Sequence, residues 1–324
     1  MNHLECAINN PSKNQLWKYI ANIIISLAAA NTIGSLPLVA VILYNVFVNK
    51  ATPDFDNPMN FGAYGISQNL GLFLMLLAFV VALISLIFFS KPFHNRTFKE
   101  VINGTNRIRW NHFAMGMIVW TIIMAIGLVI DYNMDPDIYV LQFDIYKFIP
   151  LVLITLTLIP IQTAYEEVAF RGYLAQGIAA KTKSRWWVII IPSVLFGLMH
   201  ILNPEIKEHG FLIMMPQYIY FGLFFGIITV LDDGVELAIG VHAANNMFAC
   251  LFTTNSSSAL QTPAVFNVLE VNPIGSGISL VVFSLIAIAI FHKKYKWDFS
   301  ILNRKIEKEP EIDDNEGQRM ETIG

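Results

Sequence analysis

Two glutamates, an arginine, two histidines and an asparagine sit in or at the ends of runs that are otherwise apolar. Tyr165-Glu166-Glu167-Val168-Ala169-Phe170-Arg171 closes one run, Phe196-Gly197-Leu198-Met199-His200 closes a second, and His242-Ala243-Ala244-Asn245-Asn246 lies within a third. A charge inside a membrane-spanning helix costs about 2.5–3.5 kcal/mol on insertion scales, and such residues tend to mark function. Helical geometry separates the two glutamates, because residues four apart share a face while neighbours point about 100° apart. Glu167 is thereby set to pair with Arg171, and Glu166 faces elsewhere, free for chemistry. His242 and Asn246 are also four apart and project together, and Phe196 lies one turn before His200.

These types suit amide hydrolysis, which needs an attacking water, a base for its proton and donors for the oxyanion. Glu166 would act first as base and then as acid to the leaving amine. His200 would help hold the water, and His242 and Asn246 would donate to the oxyanion. Glu166, His200 and His242 also make a His₂Glu set of the kind that holds a catalytic zinc with one open position. The residues leave both versions open, and the metal-free one is preferred. Plainer readings exist for each residue alone. Glu167 and Arg171 suit a structural ion pair, the histidines and Asn246 suit helix-packing hydrogen bonds, and Phe196 suits packing. It is their recurrence on three helices of an apolar core that favours chemistry. A thiol mechanism is unattractive. Cys250 is two turns from His242, about 12 Å along a helix, far beyond the reach of a nucleophile and its base.

The elements that must position these groups are membrane helices. The chain is 55% hydrophobic and 14% charged, with mean hydropathy +0.54, against about 25% charged in soluble domains. A net charge of −3 argues against nucleic acid as a partner. Runs approaching the roughly 20 residues a bilayer requires are Trp17–Val48, Gln68–Phe89, Phe113–Ile130, Phe148–Ala164, Trp186–Met199, Pro216–Leu231, Val235–Phe252 and Ile274–Phe291. The expected fold is therefore all-α and polytopic, with about eight transmembrane helices around a polar intramembrane cavity. Asn31, Gly34 and Pro37 predict a bend in the long first helix, and the fifth to seventh are expected to be short and enclosed. Lys91, Arg96, Lys99, Arg107, Arg109, Lys181, Lys183, Arg185, Lys293, Lys294 and Lys296 all fall on one side of an eight-helix chain. The excess of Lys and Arg in cytoplasmic loops then places both termini in the cytoplasm. In a simple model Glu166 lies near the cytoplasmic end of the fourth helix and His200 near the far end of the fifth. Bringing them together calls for displacing the fifth helix or for re-entry of the chain over Gly172–Ala180. The two cysteines, Cys6 and Cys250, imply no disulfide framework.

In these motifs the chain resembles the CPBP family of intramembrane proteases, which joins CAAX prenyl endopeptidases with bacterial Abi-type processing and immunity proteins. The family pattern is Glu-Glu-x-x-x-Arg, Phe-x-x-x-His and His-x-x-x-Asn. It reads here as Glu166-Glu167 with Arg171, Phe196 with His200, and His242 with Asn246. The resemblance implies a conical cavity open to the cytoplasm and the membrane, with Glu166 and His200 activating water, His242 and Asn246 serving the oxyanion, and Glu167, Arg171 and Phe196 supporting them. Some members are classed as metalloproteases, so zinc stays open. The expected organisation is 1–147 N-terminal helices and loops, 148–252 catalytic core, 253–302 an outer loop and last helix, and 303–324 a disordered cytoplasmic tail. The expected function is endoproteolysis of a membrane-associated protein or peptide in a bacterial cytoplasmic membrane. The alternative is a non-proteolytic immunity or peptide-binding protein. A proton-coupled transporter would predict inverted repeats, and no internal repeat is evident.

Overall fold

A computed structural model describes residues 3–8, 13–54, 57 and 59–307. Among the described residues, the chain is organised by eight long helices. They are α1 (Leu16–Phe47), α2 (Gln68–His94), α3 (Trp110–Met134), α4 (Ile145–Thr182), α5 (Arg185–Met199), α6 (Phe211–Asp232), α7 (Glu236–Phe252) and α8 (Pro273–Tyr295). Six of these are long and apolar enough to cross a membrane; α5 has 15 residues and α7 has 17. The protein is a polytopic all-α membrane protein. Each expected span is matched by a helix, with two differences in length: α6 starts at Phe211 and runs for 22 residues, so it is not short, and α4 continues well past Ala164 to Thr182.

Exposure follows the same division. Ile33, Phe88, Ile118 and Ile278 on α1, α2, α3 and α8 each leave more than half their surface uncovered, as a lipid-facing side chain would, whereas Ala238, Val241 and Ala243 of α7 are fully enclosed. Lipid adds no hydrophobic force between helices, so close contact rests on small residues that let backbones approach. Gly240 of α7 lies against the carbonyl of Phe113, and Gly116 of α3 against the backbone of Leu237 and Val241. Gly222 of α6 meets the backbone of Ser193, and Gly197 of α5 meets Ile219. A β-carbon at any of these positions would force the pair apart.

Two helices depart from regular winding. Ala30–Gly34 forms a π-helical turn within α1, at the Asn31 and Gly34 where a bend was expected. A second π-helical turn, Val168–Leu174, lies within α4. There the chain does not end or re-enter: it continues as helix through Gly172–Ala180 to Thr182. At about 1.5 Å per residue its 38 residues make a rod of about 57 Å.

The connections gather at two ends. At one, Arg96 donates to the carbonyl of Cys6, to Asn14 and to Gln176, and Arg185 donates to Glu5 and to the carbonyls of Arg304 and Lys305. Ile306 is buried there, its N–H bonded to the carbonyl of Lys183. The start of the tail expected to be disordered is thus docked, and 308–324 lies outside the described residues. The short α6–α7 connection is held the same way. Asp233 takes the left-handed conformation (φ 56°), Arg109 donates to the carbonyl of Asp232, and Val235 donates to that of Ile102. At the other end a small sheet, β1 (Tyr139–Leu141), β2 (Thr253–Thr254) and β3 (Phe266–Val268), pairs in the order β1-β3-β2. Tyr139 is opposite Val268 in the antiparallel pair, and Thr253 opposite Phe266 in the parallel one.

Candidate active site

The continuity of α4 decides where its glutamates lie. Glu166 stands 16 residues before the end of α4 at Thr182, and His200 stands 15 residues beyond the start of α5 at Arg185. In an antiparallel hairpin these climbs, about 24 and 22 Å at 1.5 Å per residue, bring the two to the same level. Phe170 against Phe196, with ring centroids 5.9 Å apart, fixes the same register one turn lower. Glu166 is therefore not near the end of its helix, and neither a displaced fifth helix nor a re-entrant fourth is required.

Glu167 and Arg171 pair as their spacing predicts. Arg171 Nη1 donates to Glu167 Oε1 at 3.0 Å, with both side chains essentially inaccessible. Nη2 donates to the carbonyl of Gly222, and the guanidinium lies 4.4 Å over the ring of Phe196 and 5.4 Å over that of Phe225. A buried cation is tolerable only when paired and bonded in this way. The same Glu167 oxygen accepts from His242 Nδ1 at 2.8 Å. That bond assigns the Nδ1 proton and turns Nε2 towards Glu166 Oε2, 3.6 Å away. The His242 ring is further fixed by stacking on Phe225 (4.8 Å, 23°) and by the edge of Phe196 (5.9 Å, 79°). Phe196 thus supports a cation on one side and an imidazole on another.

Glu166 is held differently. Its Oε1 accepts from Gln162 Nε2 at 2.9 Å, while its buried Oε2 has no hydrogen-bond partner. Asn246 Nδ2 donates to Gln162 Oε1 at 3.2 Å, Asn245 donates to Asn246 Oδ1, and Trp120 Nε1 donates to Asn245 Oδ1. A polar chain therefore runs from Glu166 through Gln162 and Asn246 to α3. One N–H of the Asn246 amide serves Gln162, and Asn246 itself lines the cavity. His200 donates from Nδ1 to the carbonyl of Phe196 at 2.8 Å, and its ring stacks on Tyr218 (4.6 Å, 22°). This leaves Nε2 as the ring nitrogen without a bonded partner.

Glu166, His200, His242 and Asn246 line one cavity of about 630 Å³. One wall is Ala30, Asn31 and Ser35 of α1, and the opposite side includes Met199 beside His200. Asn31 and Met199 are both exposed at the protein surface. Asn203, Glu205 and Ser258, from the connections after α5 and α7, also line it. Among the described residues no three His, Cys, Asp or Glu side chains converge as metal ligands. Glu166 and His242 approach each other, and His200 is bonded through Nδ1 to the carbonyl of Phe196 and stacked on Tyr218. As arranged here, the His₂Glu set Glu166, His200 and His242 does not form a ligand cluster. Neither cysteine competes for the role of nucleophile. Cys250 is buried in an apolar cluster, and burial at the N-terminal segment pushes the Cys6 thiol up to about 11.

The type II CAAX prenyl endopeptidase Rce1-like family model matches residues 147–248, the segment that carries Glu166, Glu167, Arg171, Phe196, His200, His242 and Asn246. The uncharacterized protein YyaK of Bacillus subtilis (strain 168) is 30% identical over 290 residues, covering 87% of this chain and 94% of that protein. This chain belongs to the CPBP family of CAAX-type membrane proteases. No solved structure matches it. Similarity to YyaK extends across 87% of the chain and so reaches well beyond the segment of the CAAX-protease match.

The CAAX-protease motifs leave out several residues that complete this site. Gln162 lies four residues before Glu166, a spacing that places it on the same face, and Asn245 adjoins Asn246; both were legible. Trp120, Tyr218 and Phe225 meet the site only through helix packing, and nothing in their local sequence marks them.

Proposed function

We propose that this protein is an intramembrane endopeptidase that hydrolyses a peptide bond of a membrane-associated protein or peptide, with Glu166 as the general base. The observation that carries this reading is the unpartnered Glu166 Oε2, 3.6 Å from His242 Nε2 in a cavity within the helix bundle. Glu166 takes a proton from a water that His200 Nε2 helps to orient, and the water oxygen bonds to the scissile carbonyl carbon. The carbonyl oxygen, now negative, is held by Asn246 and by His242. The latter role requires protons on both imidazole nitrogens, with Nδ1 held by Glu167 and Nε2 beside Glu166, so that the two carboxylates together face His242 and Arg171. Collapse breaks the C–N bond, and Glu166 returns its proton to the leaving nitrogen. Glu167, Arg171 and Phe196 position His242 and do not touch the substrate.

The polar cavity accounts for how water reaches a peptide bond at membrane depth. Its apolar part, with Leu38, Leu74 and Met75, suits the side chains of a membrane-associated segment. Residues 148–252 act as the catalytic unit, and α1 supplies a wall of the cavity from outside it. The protein resides in a bacterial cytoplasmic membrane with its basic end, and so both termini, in the cytoplasm.

The test compares wild type with Glu166→Gln and His242→Ala, purified and reconstituted, on a library of membrane-tethered peptides read by mass spectrometry. Products confined to wild type and insensitive to a zinc chelator are the expected result. Products lost on chelation and restored by zinc would replace the directly activated water with a metal-bound one. Equal products from wild type and both variants would remove Glu166 from the mechanism.

A further inference from the structure

The π-helical turn of α4 is held from outside the helix. Such turns are rare and concentrate at functional sites, and this one carries Arg171. Ala175, just past it, donates to the carbonyls of Phe170 and Gly172. The Arg171 carbonyl between them accepts from His3 Nε2 at 3.0 Å. Because the acceptor is a carbonyl, Nε2 carries the ring proton, and Nδ1 is buried with no hydrogen-bond partner. The whole of His3 is almost entirely buried, yet it does not line the cavity.

The place of His3 is itself fixed. Its carbonyl accepts from Gln176 Nε2 at 2.9 Å and from Cys6 Sγ at 3.2 Å. Leu4 is buried in the main apolar core, and Glu5 accepts from Arg185. The backbone N–H of His3 donates to Asp233 Oδ1 at 3.0 Å, in the turn that leads into α7. His3 therefore joins α4 to the start of α7. The contacts of the site cross between the same two helices: His242 Nδ1 donates to Glu167 at 2.8 Å, and Nε2 lies 3.6 Å from Glu166. Arg171, whose carbonyl His3 holds, pairs with that same Glu167 through its guanidinium. A misplacement of reacting groups by about 1 Å can cost about 10²-fold in rate even when its cause is remote. A clamp on these two helices thus acts on the chemistry without touching it.

We infer that His3 is a positioning residue of the active site: through the Arg171 carbonyl and Asp233 it sets α4 against α7, and with them the approach of Glu166 to His242. The effect on cleavage rests on the protease reading; the clamp between the two helices does not.

The experiment compares the full chain as wild type, His3→Ala and His3→Gln, whose side-chain amide can replace Nε2 as the donor. Each is reconstituted and measured twice: cleavage of the membrane-tethered peptides, resolved into kcat and KM, and amide hydrogen exchange read by mass spectrometry. His3→Ala is expected to lower kcat roughly fivefold, the effect of one lost hydrogen bond, and to leave KM unchanged. It should also speed exchange over 168–176 and 233–242. His3→Gln should restore both. In a Glu167→Gln background His3→Ala should lower kcat no further, because the contact it steadies is already gone. If His3→Ala does not fold, His3→Asn, whose shorter amide falls short of the Arg171 carbonyl, takes its place. An unchanged kcat, or an equal fall in His3→Gln, overturns the inference. So does an equal further fall in the Glu167→Gln background, which would mark general loosening. Wild type that cleaves none of the peptides would count against the protease reading, and exchange alone would then decide. Faster exchange over both segments in His3→Ala upholds the clamp, and unchanged exchange overturns it.

Discussion

Two clusters of buried charge lie about two turns apart along α7, one at Glu236 and the other at His242, and they are built to opposite standards. In the cluster at the α6–α7 turn each nitrogen of the Arg109 guanidinium is bonded: Nε and Nη2 to Glu236, Nη1 to the carbonyl of Asp232. Glu236 also accepts from Asn103, and Asp232 from His112, whose ring stacks on Tyr295 at 4.4 Å. In the intramembrane cluster three buried atoms have no hydrogen-bond partner: Glu166 Oε2, Glu167 Oε2 and Arg171 Nε. A saturated network rigidifies what it joins, whereas an unsatisfied buried group costs free energy and persists where function requires it. The first cluster fastens the α6–α7 turn to α3. The second holds unused bonding capacity beside a cavity.

The comparison breaks most visibly at Glu166. Glu166→Gln is expected to lower the cleavage rate by about 10²–10⁴, the range for general acid–base groups, with no fall in the melting temperature of the purified protein. An unchanged rate would mean that the unpartnered oxygen is idle. Glu167→Gln should lower both quantities. It strips Arg171 of its buried counter-charge, at about 3 kcal/mol, and loosens His242, so melting and cleavage should fall together. Arg109→Ala should act on stability alone. Its side chain is 27% exposed, which places the loss nearer 2 kcal/mol than the upper range for buried pairs. The cleavage rate per folded molecule should hold. Gln162→Ala removes one hydrogen bond to Glu166, worth about 1 kcal/mol, and should slow cleavage roughly fivefold without a matching loss of stability. The smallest effect belongs to Cys250→Ala, expected to leave the rate unchanged and to cost at most about 1 kcal/mol. Loss of activity there would reopen a thiol mechanism.

The spans were legible because a bilayer demands long apolar runs, and all eight runs correspond to helices. The pairing of Glu167 with Arg171 was legible because both partners sit on one helix at a fixed offset. The length of α4 was not. Arg171 and Gln176 look like the start of a polar connection, and only their partners, Glu167 for one and Arg96 with the carbonyls of His3 and Glu100 for the other, show why helix continues through them. The level of His200 was misplaced for the same reason. The docked segment around His3 and Glu5 was out of reach because four helical residues carry no readable periodicity. Tyr218 and Phe225 depend on the register between α5, α6 and α7, which close glycine contacts set and no local pattern announces.

The ion pair within α4 also bears on how the chain is made. Because Glu167 and Arg171 lie on the same helix, their charges cancel before α5, α6 and α7 have been synthesised. The helix can then leave the insertion machinery with a single uncompensated carboxylate, Glu166, rather than three separate charges. At about 2.5–3.5 kcal/mol per charge, that difference is of the size that decides between insertion and rejection. His242 arrives two helices later, on α7, and joins a partner already in place. The order of synthesis thus delivers the support before the group it supports.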